Sequence, residues 1–493
     1  MIKSIMISNF KCFKKEVLIN FSDLTLISGL NNSGKSTIYQ MLLLLKQSIN
    51  NINYATKMNS HSPNLKLNGD ILQLGNPDEV LNDINKNLSV TVEYDDSIKL
   101  SISYKLIKST SDTEDDENQK AALVLDTMEI IDKDSSFSFE RRNDQYYVKS
   151  YKCLSFDYNE FNDYFFDYLK KKCQENDMVY EKLEDLLSDT VEFTKFKNII
   201  CLNFLIIGLD IDISQIVTCI NEKYRHLFLI DEFQKLLLEK EYDENFISLR
   251  SNFPKNLIRL QQEFTDEINF VLPFRGYPKR VYVETEYPNP LLFSKNDMAN
   301  KISYKFDIDS MQVVLGTLSD ALKYWIKNII TNIDSFKINT LVEGLISETI
   351  VTEKNRNISI MNVGFGISQI LPLIVNVLLC HKNSICIIDE PEVHLHPSLQ
   401  TRLADFFVEM IKLGKKLIVE THSEYIINRV LYHKLLNTDK TIEMLWVVKE
   451  ENESHINEMK CDDLGFIINK PEGFLDENDN IVQLLNDERS KRL

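Results

Sequence analysis

A chain of 493 residues, with 43% hydrophobic and 26% charged content, is long enough to bury a large core and to hold two or three structural units. Its formal net charge of −18 excludes a protein coated in basic surface for indiscriminate nucleic-acid binding, although a local basic groove would still act through its own field. The eight cysteines (12, 153, 173, 201, 219, 380, 386 and 461) include no CxxC pair, and several lie in apolar runs, which suits buried thiols of a reducing compartment better than disulfides or zinc.

The opening MIKSIMISNFKCF lacks the continuous apolar segment of a signal peptide and alternates as a strand does. The longest apolar runs, 199–208 and 370–380, are interrupted by Asn203 and Asn376 and are too short to span a bilayer. The expectation is a cytoplasmic protein with no membrane partner. Residues 2–28 read as two or three strands, with Ile5, Ile7, Val17, Ile19 and Phe21 alternating against polar neighbours. Leu24, Leu26 and Ile27 make a short apolar run suited to a buried strand. Gly29-Leu30-Asn31-Asn32-Ser33-Gly34-Lys35-Ser36 then fits the phosphate-loop pattern, and a helix is expected over 36–49.

The chemistry explains the spacing. Gly29 and Gly34 let the backbone turn its N–H groups, with those of Asn31, Asn32 and Ser33, inward around a polyphosphate. The N-terminus of the next helix, at Thr37, adds partial positive charge. Lys35 can reach the β and γ phosphates, and the Ser36 hydroxyl can ligate Mg²⁺. The competing reading is a Gly/Asn/Ser turn that matches by chance, and strand–loop–helix context favours a site for a nucleoside triphosphate.

Further along, 50–68 reads as loop and 69–75 as a short strand with a glycine exit. The segments LSVTVEY, IKLSISYKLI, ALVLDTMEII and SFSFERR make 88–150 strand-like, with Asp112–Glu117 as a solvated hairpin loop. Between 155 and 270 helix formers with mixed charges take over, without heptads sustained enough for a long coiled coil. A compact Pro/Gly/Arg element follows at 271–280; its Arg275, Lys279 and Arg280 could contact phosphate or nucleic acid, or form salt bridges with the acidic remainder. Helices plus a hairpin are expected over 310–361. From 384 strand and helix alternate: SICIIDE, SLQTRLADFFVEMIKL, KKLIVET, EYIINRVLYHKLL, EMLWVVKE. That alternation argues for a largely parallel sheet, with the phosphate loop and these elements in one lobe split by everything between.

Two strand ends carry chemistry. Ile385–Glu390 is apolar and closes on two carboxylates: Asp389 is placed to hold Mg²⁺ through its water shell, and Glu390 to act as general base on the attacking water. Leu417–Ser423 ends in His422, which either contacts a γ-phosphate or the attacking water, or caps the next helix. A Ser423–His422 hydrolase pair is poorly supported, because adjacent residues at a strand end rarely point at each other. Glu392, His394 and His396 weakly suggest a metal cluster.

The set GLNNSGKST, IIDEPEVHLHP and VETHS resembles the ABC-type ATPases of the RecF/SMC/Rad50 and OLD group. GDILQLGNPDEVL, VLPFRGYPKRVY and NVGFGISQILPLI resemble more specifically its bacterial AAA15-like branch with a DUF3696 region. The resemblance covers 1–80, 270–285 and 360–425. It implies an α/β fold: a split ABC-type P-loop ATPase head with a β-rich lobe and an α-helical insertion. Its parts would be 1–85, the N-terminal half of the head; 86–154, a β-rich arm; 155–270, the insertion; and 271–493, the C-terminal half.

It further implies ATP and Mg²⁺ as cofactors, and a homodimer or higher oligomer with each ATP between the phosphate loop of one subunit and the signature motif of the other. Val363–Gln369 stands where that signature falls, departing from Leu-Ser-Gly-Gly-Gln, with Gly364, Gly366 and Ser368 facing the nucleotide. Read without the family, it is a glycine-containing turn before a helix. The Q-loop ligand of Mg²⁺ is assigned to Gln73. About 70 residues follow His422, too few for the Toprim nuclease of OLD enzymes, so a separate effector (nuclease or toxin) is the expected partner, as in the Septu and PARIS defence types. A DNA-binding repair ATPase of the RecF/Rad50 kind, and an ATP-binding scaffold that scarcely hydrolyses, are the alternatives.

Overall fold

A computed structural model describes residues 1–55, 64–95, 97–108, 121–131, 133, 135–142, 145–153, 156–157, 268–272, 282–283, 301–307, 312–329, 333–342, 346–382, 384–436, 441–450, 453–460 and 467–469. The interior of the expected helical insertion, the Asp112–Glu117 loop, and Arg275, Lys279 and Arg280 lie outside these residues. The chain divides into one unit made of 1–20 and 40–265 and a second made of 21–39 and 266–493.

In the first unit, strands β1 (Ile2–Ser8), β2 (Val17–Asn20), β4 (Leu88–Tyr94), β5 (Lys99–Lys108), β6 (Ala121–Ile131), β7 (Ser135–Arg142), β8 (Gln145–Cys153) and β9 (Phe156–Asp157) form one antiparallel sheet, in the order β2-β1-β4-β5-β6-β7-β8-β9. Strict alternation sets its register: Leu88, Val90, Val92 and Tyr94 of β4 are buried and the residues between them are half-buried. Helix α1 spans Lys35–Ala55, and a single turn of helix, α2 (Pro77–Val80), starts on a proline that needs no N–H partner there. Residues 69–75 are not a strand. The Asn68 side chain takes both the N–H and the C=O of Gly75, at 2.9 Å each, and this local pairing leaves only an isolated Asn68–Gln73 bridge.

The second unit is built on a six-stranded sheet of β3 (Leu24–Gly29), β10 (Ile268–Val271), β17 (Ile385–Asp389), β18 (Lys416–Glu420), β19 (Ile442–Glu450) and β20 (Glu453–Glu458). Its order is β10-β17-β18-β3-β19-β20, parallel throughout except for β20. β3 and β18 are buried at every position, the pattern of strands covered on both faces. Leu24, Leu26, Ile388, Leu417 and Val419 pack with residues of α3 (Leu318–Ile329), α4 (Phe365–Leu379), α5 (Pro397–Lys412) and α6 (Glu424–Leu436) in one core. Trp325 meets Phe406 edge-on, with ring centroids 4.9 Å apart. The buried Lys415 ammonium closes the C-terminus of α4 by donating to the carbonyls of Val377 and Leu378, at 2.9 and 2.8 Å, and to that of Cys380.

Several expectations need correction. Helix α1 starts at Lys35 and runs six residues past the expected end at 49, because no glycine or proline interrupts 50–55. Among the described residues of 310–361 there is one α-helix, α3, with a short 3₁₀ turn and the strands β13 (Gln312–Thr317), β14 (Ser335–Val342), β15 (Ile346–Glu353) and β16 (Arg356–Ser359). β13 pairs with β12 (Lys301–Asp307), and β15 lies between β14 and the short β11 (Tyr282–Val283), with β16 also bonded to it. The described ends of 155–270 are also strands: β9 pairs with β8, and β10 pairs with β17 inside the central sheet. By contact, residues 21–39 and 266–493 group in the second unit, while 1–20 and 40–85 group with the β-rich strands of the first.

Candidate nucleotide-binding site

Parallel register brings the chemistry together. β18 lies between β3 and β17, with Asp389 level with Glu420 and Glu420 level with Ile27. The loop after β3, the two acids ending β17 and the His422 turn after β18 therefore open at the same sheet edge, where strand C-termini and a helix N-terminus converge.

The phosphate loop has the backbone that its glycines require. Gly29 sits at φ +149, and a side chain there would come within 2.3 Å of the Val447 carbonyl oxygen; Gly34 sits at φ +100. Asn32 takes the left-handed region at φ +61, which asparagine tolerates. The Lys35 ammonium is buried and donates to the carbonyls of Leu30 at 2.8 Å and Gly29 at 3.3 Å, so it lies along the inside of the loop. Burial lowers its pKa, and Glu420, Glu390 and Asp389 oppose that shift. The Thr37 N–H donates to the Gly34 carbonyl at 3.1 Å and begins the helix. Asn31 and Asn32 are exposed, whereas the Ser33 hydroxyl is buried with no hydrogen-bond partner.

At the facing strand ends, the Glu390 N–H donates to the Glu420 carbonyl at 3.0 Å, and Glu390 is held at φ +38, a strained conformation of the kind found at functional sites. His422 Nε2 lies 3.8 Å from Glu390 Oε1. Burial and then the Lys35 charge lower the His422 pKa against the pull of Glu390, so the imidazole is neutral near pH 7. The Ser36 hydroxyl donates to Glu420 Oε1 at 3.2 Å. Burial, then Asp389, raises the Glu420 carboxyl to about 7. Tyr39, on the first turns of α1, has its phenol pushed up by burial and by Glu420 and Asp389.

Two residues assigned no part in nucleotide chemistry from the sequence belong here. Glu420 is one. Glu392 is the other: its Oε1 accepts the His422 N–H at 2.6 Å and its Oε2 the Thr421 hydroxyl at 2.8 Å, fixing the turn that carries the imidazole. Burial raises its pKa. The readable signal was an acid just past a Walker-type strand end, but its partners lie 29 and 30 residues away.

The suggested Glu392–His394–His396 metal cluster does not form, because these side chains have other work. His396 caps α5 through Ser398, the His394 ring meets Phe365 edge-on at 4.8 Å, and Glu392 is bonded as above. The group of potential ligands among the described residues is instead Glu390, Glu420 and His422, each with a donor atom within 4.8 Å of the others.

The signature turn also lies in this unit. Gly364 caps α4 and is exposed, with open space where a Cβ would stand, whereas a Cβ on Gly366 would meet the His394 carbonyl oxygen at 2.7 Å. Ser368 is fully buried and its hydroxyl donates to the Phe365 carbonyl at 2.7 Å, so it is not displayed as a donor at the surface. Gln73 lies in the other unit, where its side-chain amide donates to the Gly69 carbonyl at 2.6 Å.

The residues present fit a nucleoside triphosphate with Mg²⁺. The buried Ser33 hydroxyl and Glu420 Oε2, which make no hydrogen bond of good geometry within the chain, are polar atoms that such a ligand would satisfy. The oxygens of Ser36, Asp389, Glu390 and Glu420 are the hard donors that Mg²⁺ takes. No helix among the described residues is long and apolar enough to cross a membrane.

Comparison with solved structures finds similarity to the SMC head domain from Thermotoga maritima, at 13% identity over 93% of this chain and 99% of that one, with a TM-score of 0.35. It also finds the Smc head domain with an extended coiled coil bound to the C-terminal domain of ScpA, from Pyrococcus furiosus, at 14% identity over 99% of both chains and a TM-score of 0.35. The Smc head with a coiled coil and joint from Pyrococcus yayanosii is 12% identical over 93% of this chain and 97% of that one, with a TM-score of 0.36. Comparison with curated proteins finds no match. The family profile described as an AAA ATPase domain, AAA_15, matches residues 1–427, and the chain belongs to that family.

Proposed function

We propose that this protein is an Mg²⁺-dependent ATP hydrolase whose nucleotide-driven dimerisation switches a partner effector. The observation that carries the reading is the convergence, at one edge of a parallel sheet, of Lys35 and Ser36 with Asp389, Glu390 and His422. Mg²⁺ bound to the triphosphate would offset the charge on the transferring phosphoryl group, with Ser36 and Asp389 as its protein ligands. Lys35 carries its positive charge into the phosphates. Glu390 orients the attacking water and accepts its proton. His422, neutral and held by Glu392 through its backbone, donates a hydrogen bond to the oxyanion that develops on the γ-phosphate.

Dimerisation through the head is supported by the resemblance of Val363–Gln369 to an ABC-type signature and by the exposure of Gly364. The effector is read as a separate nuclease or toxin and the setting as bacterial anti-phage defence, on the same resemblance. The test is mass by light scattering, with ATP turnover, on wild type, Lys35→Ala and Glu390→Gln. Doubling of mass with ATP in Glu390→Gln, absent in Lys35→Ala, together with wild-type turnover, is the expected result. A mass indifferent to ATP in all three overturns the switch. Pull-down of proteins encoded beside this one, from the ATP-locked variant, tests the effector; recovery of DNA alone would favour a repair ATPase.

A further inference from the structure

Glu420 is the acid that the proposed hydrolysis leaves without a task. It ends β18 between the phosphate-loop strand and the strand of Asp389, and it is 3% exposed. Its Oε1 accepts the Ser36 hydroxyl at 3.2 Å, whereas its Oε2 is buried and accepts no hydrogen bond of good geometry, the Tyr39 phenol being the neighbouring donor. Leaving a buried acceptor unpaired costs about 1–3 kcal/mol, and more for a charged group. A hydrophobic residue, as at the preceding Leu417, Ile418 and Val419, would avoid that cost.

The spacing is that of two ligands of one ion. Neighbouring ligands about 2.1 Å from an octahedral Mg²⁺ are ~3.0 Å apart, and Ser36 Oγ and Glu420 Oε1 stand 3.2 Å apart. Asp389 is level with Glu420 on the adjoining strand, and Glu390 and His422 bring donor atoms within 4.8 Å of it. We propose that Glu420 is a ligand of the divalent cation at this site, beside Ser36 and Asp389, and that the site binds the cation before nucleotide arrives. This rests on the nucleotide reading above and goes beyond it. Phosphate-loop cations are ordinarily held by one or two carboxylates plus the phosphates of the substrate; here Asp389 and Glu420 would supply two, with the Glu390 and His422 donor atoms within 4.8 Å of Glu420. The cation would replace the Ser36–Glu420 hydrogen bond with shared coordination and satisfy the buried Oε2.

The test is titration of the nucleotide-free full chain with Mn²⁺, followed by electron paramagnetic resonance of the free ion, with Mg²⁺ as competitor. Wild type is expected to bind about one Mn²⁺ per chain, and Glu420→Gln to bind it at least tenfold more weakly. A wild type that takes up no Mn²⁺ without nucleotide, or a Glu420→Gln that binds as wild type does, overturns the proposal. Should Glu420→Gln fail to fold, Glu420→Asp is read in its place: it keeps the charge but draws the oxygens back by one methylene, and unchanged affinity again overturns the proposal. Binding of a fluorescent ATP analogue with Mg²⁺ present is measured in parallel. Its absence in wild type sinks the nucleotide reading, while the Mn²⁺ titration without nucleotide still decides the role of Glu420.

Discussion

Lys35 shows how one side chain serves the loop twice. Its ammonium donates to the carbonyls of Gly29 and Leu30, so removing it takes away the charge meant for the phosphates and also leaves two loop carbonyls without their donor. Charge-assisted hydrogen bonds of this kind are worth about 1.5–3 kcal/mol, so Lys35→Ala is expected to weaken ATP-analogue binding at least about tenfold, measured by fluorescence titration. Glu392 acts through another residue. Glu392→Ala should lower kcat about 10-fold to 100-fold with little change in KM, because it frees the turn bearing His422 without touching the loop. A loss confined to KM would argue against that role. Glu420 gives a pH signature in metal-free protein. Its folded pKa, about 7, lies above the ordinary glutamate value of 4.5, so the folded state keeps a proton that the unfolded state gives up. Stability therefore falls as pH rises from 4.5 to about 7 and stays lowered above that window. Glu420→Gln removes this effect, so in EDTA its stability relative to wild type should rise between pH 5 and pH 8, by on the order of 3 kcal/mol at most. Denaturant unfolding at the two pH values checks it; a difference that does not change with pH contradicts the raised pKa.

At the scale of elements, Gly366 couples α4 to the segment after β17. Its Cα passes close to the His394 carbonyl while Phe365 stacks edge-on against the His394 ring. Gly366→Ala must push that backbone away, at about 1–3 kcal/mol by thermal or denaturant unfolding, since overpacking at a backbone contact has no flexible side chain to absorb it. The sequence marked this turn through its two glycines but could not separate their roles. Gly366 is a packing glycine, whereas Gly364 faces open space. The burial of Ser368 on the Phe365 carbonyl was equally hidden, because a serine three residues into a helix reads the same whether it bonds its own helix or faces outward. A longer-range staple was also unreadable. Asp405 of α5 bonds Arg429 and His433 of α6, at 2.6 and 2.5 Å, across 24 and 28 residues of sequence.

For the whole molecule, the signature turn offers a substitution that separates assembly from folding. Gly364 has nothing within 4 Å of a Cβ and an ordinary negative φ, so Gly364→Asp should fold and bind nucleotide as wild type does. In the Glu390→Gln background it should abolish the ATP-driven doubling of mass, by placing a carboxylate against the phosphates of a partner subunit. Doubling that persists would remove Val363–Gln369 from the interface. Any contact with DNA by a chain of net charge −18 must come from a local patch, and its affinity should fall steeply between low and physiological salt.

The phosphate loop, the Asp389–Glu390 pair and the strand–helix alternation after 384 were legible because each is local. A glycine at a fixed offset, an apolar run of strand length and a terminal acid are all written within a few consecutive residues. The tertiary structure decided what depends on pairing across the chain: that β18 lies between β3 and β17, that Glu420 thereby stands against Ser36, and that Glu392 holds the turn of His422. Strand order is set by how buried faces pack, and a sequence of similar apolar strands does not rank its own neighbours. The carboxylates were visible from the start, and only the sheet put them around one point.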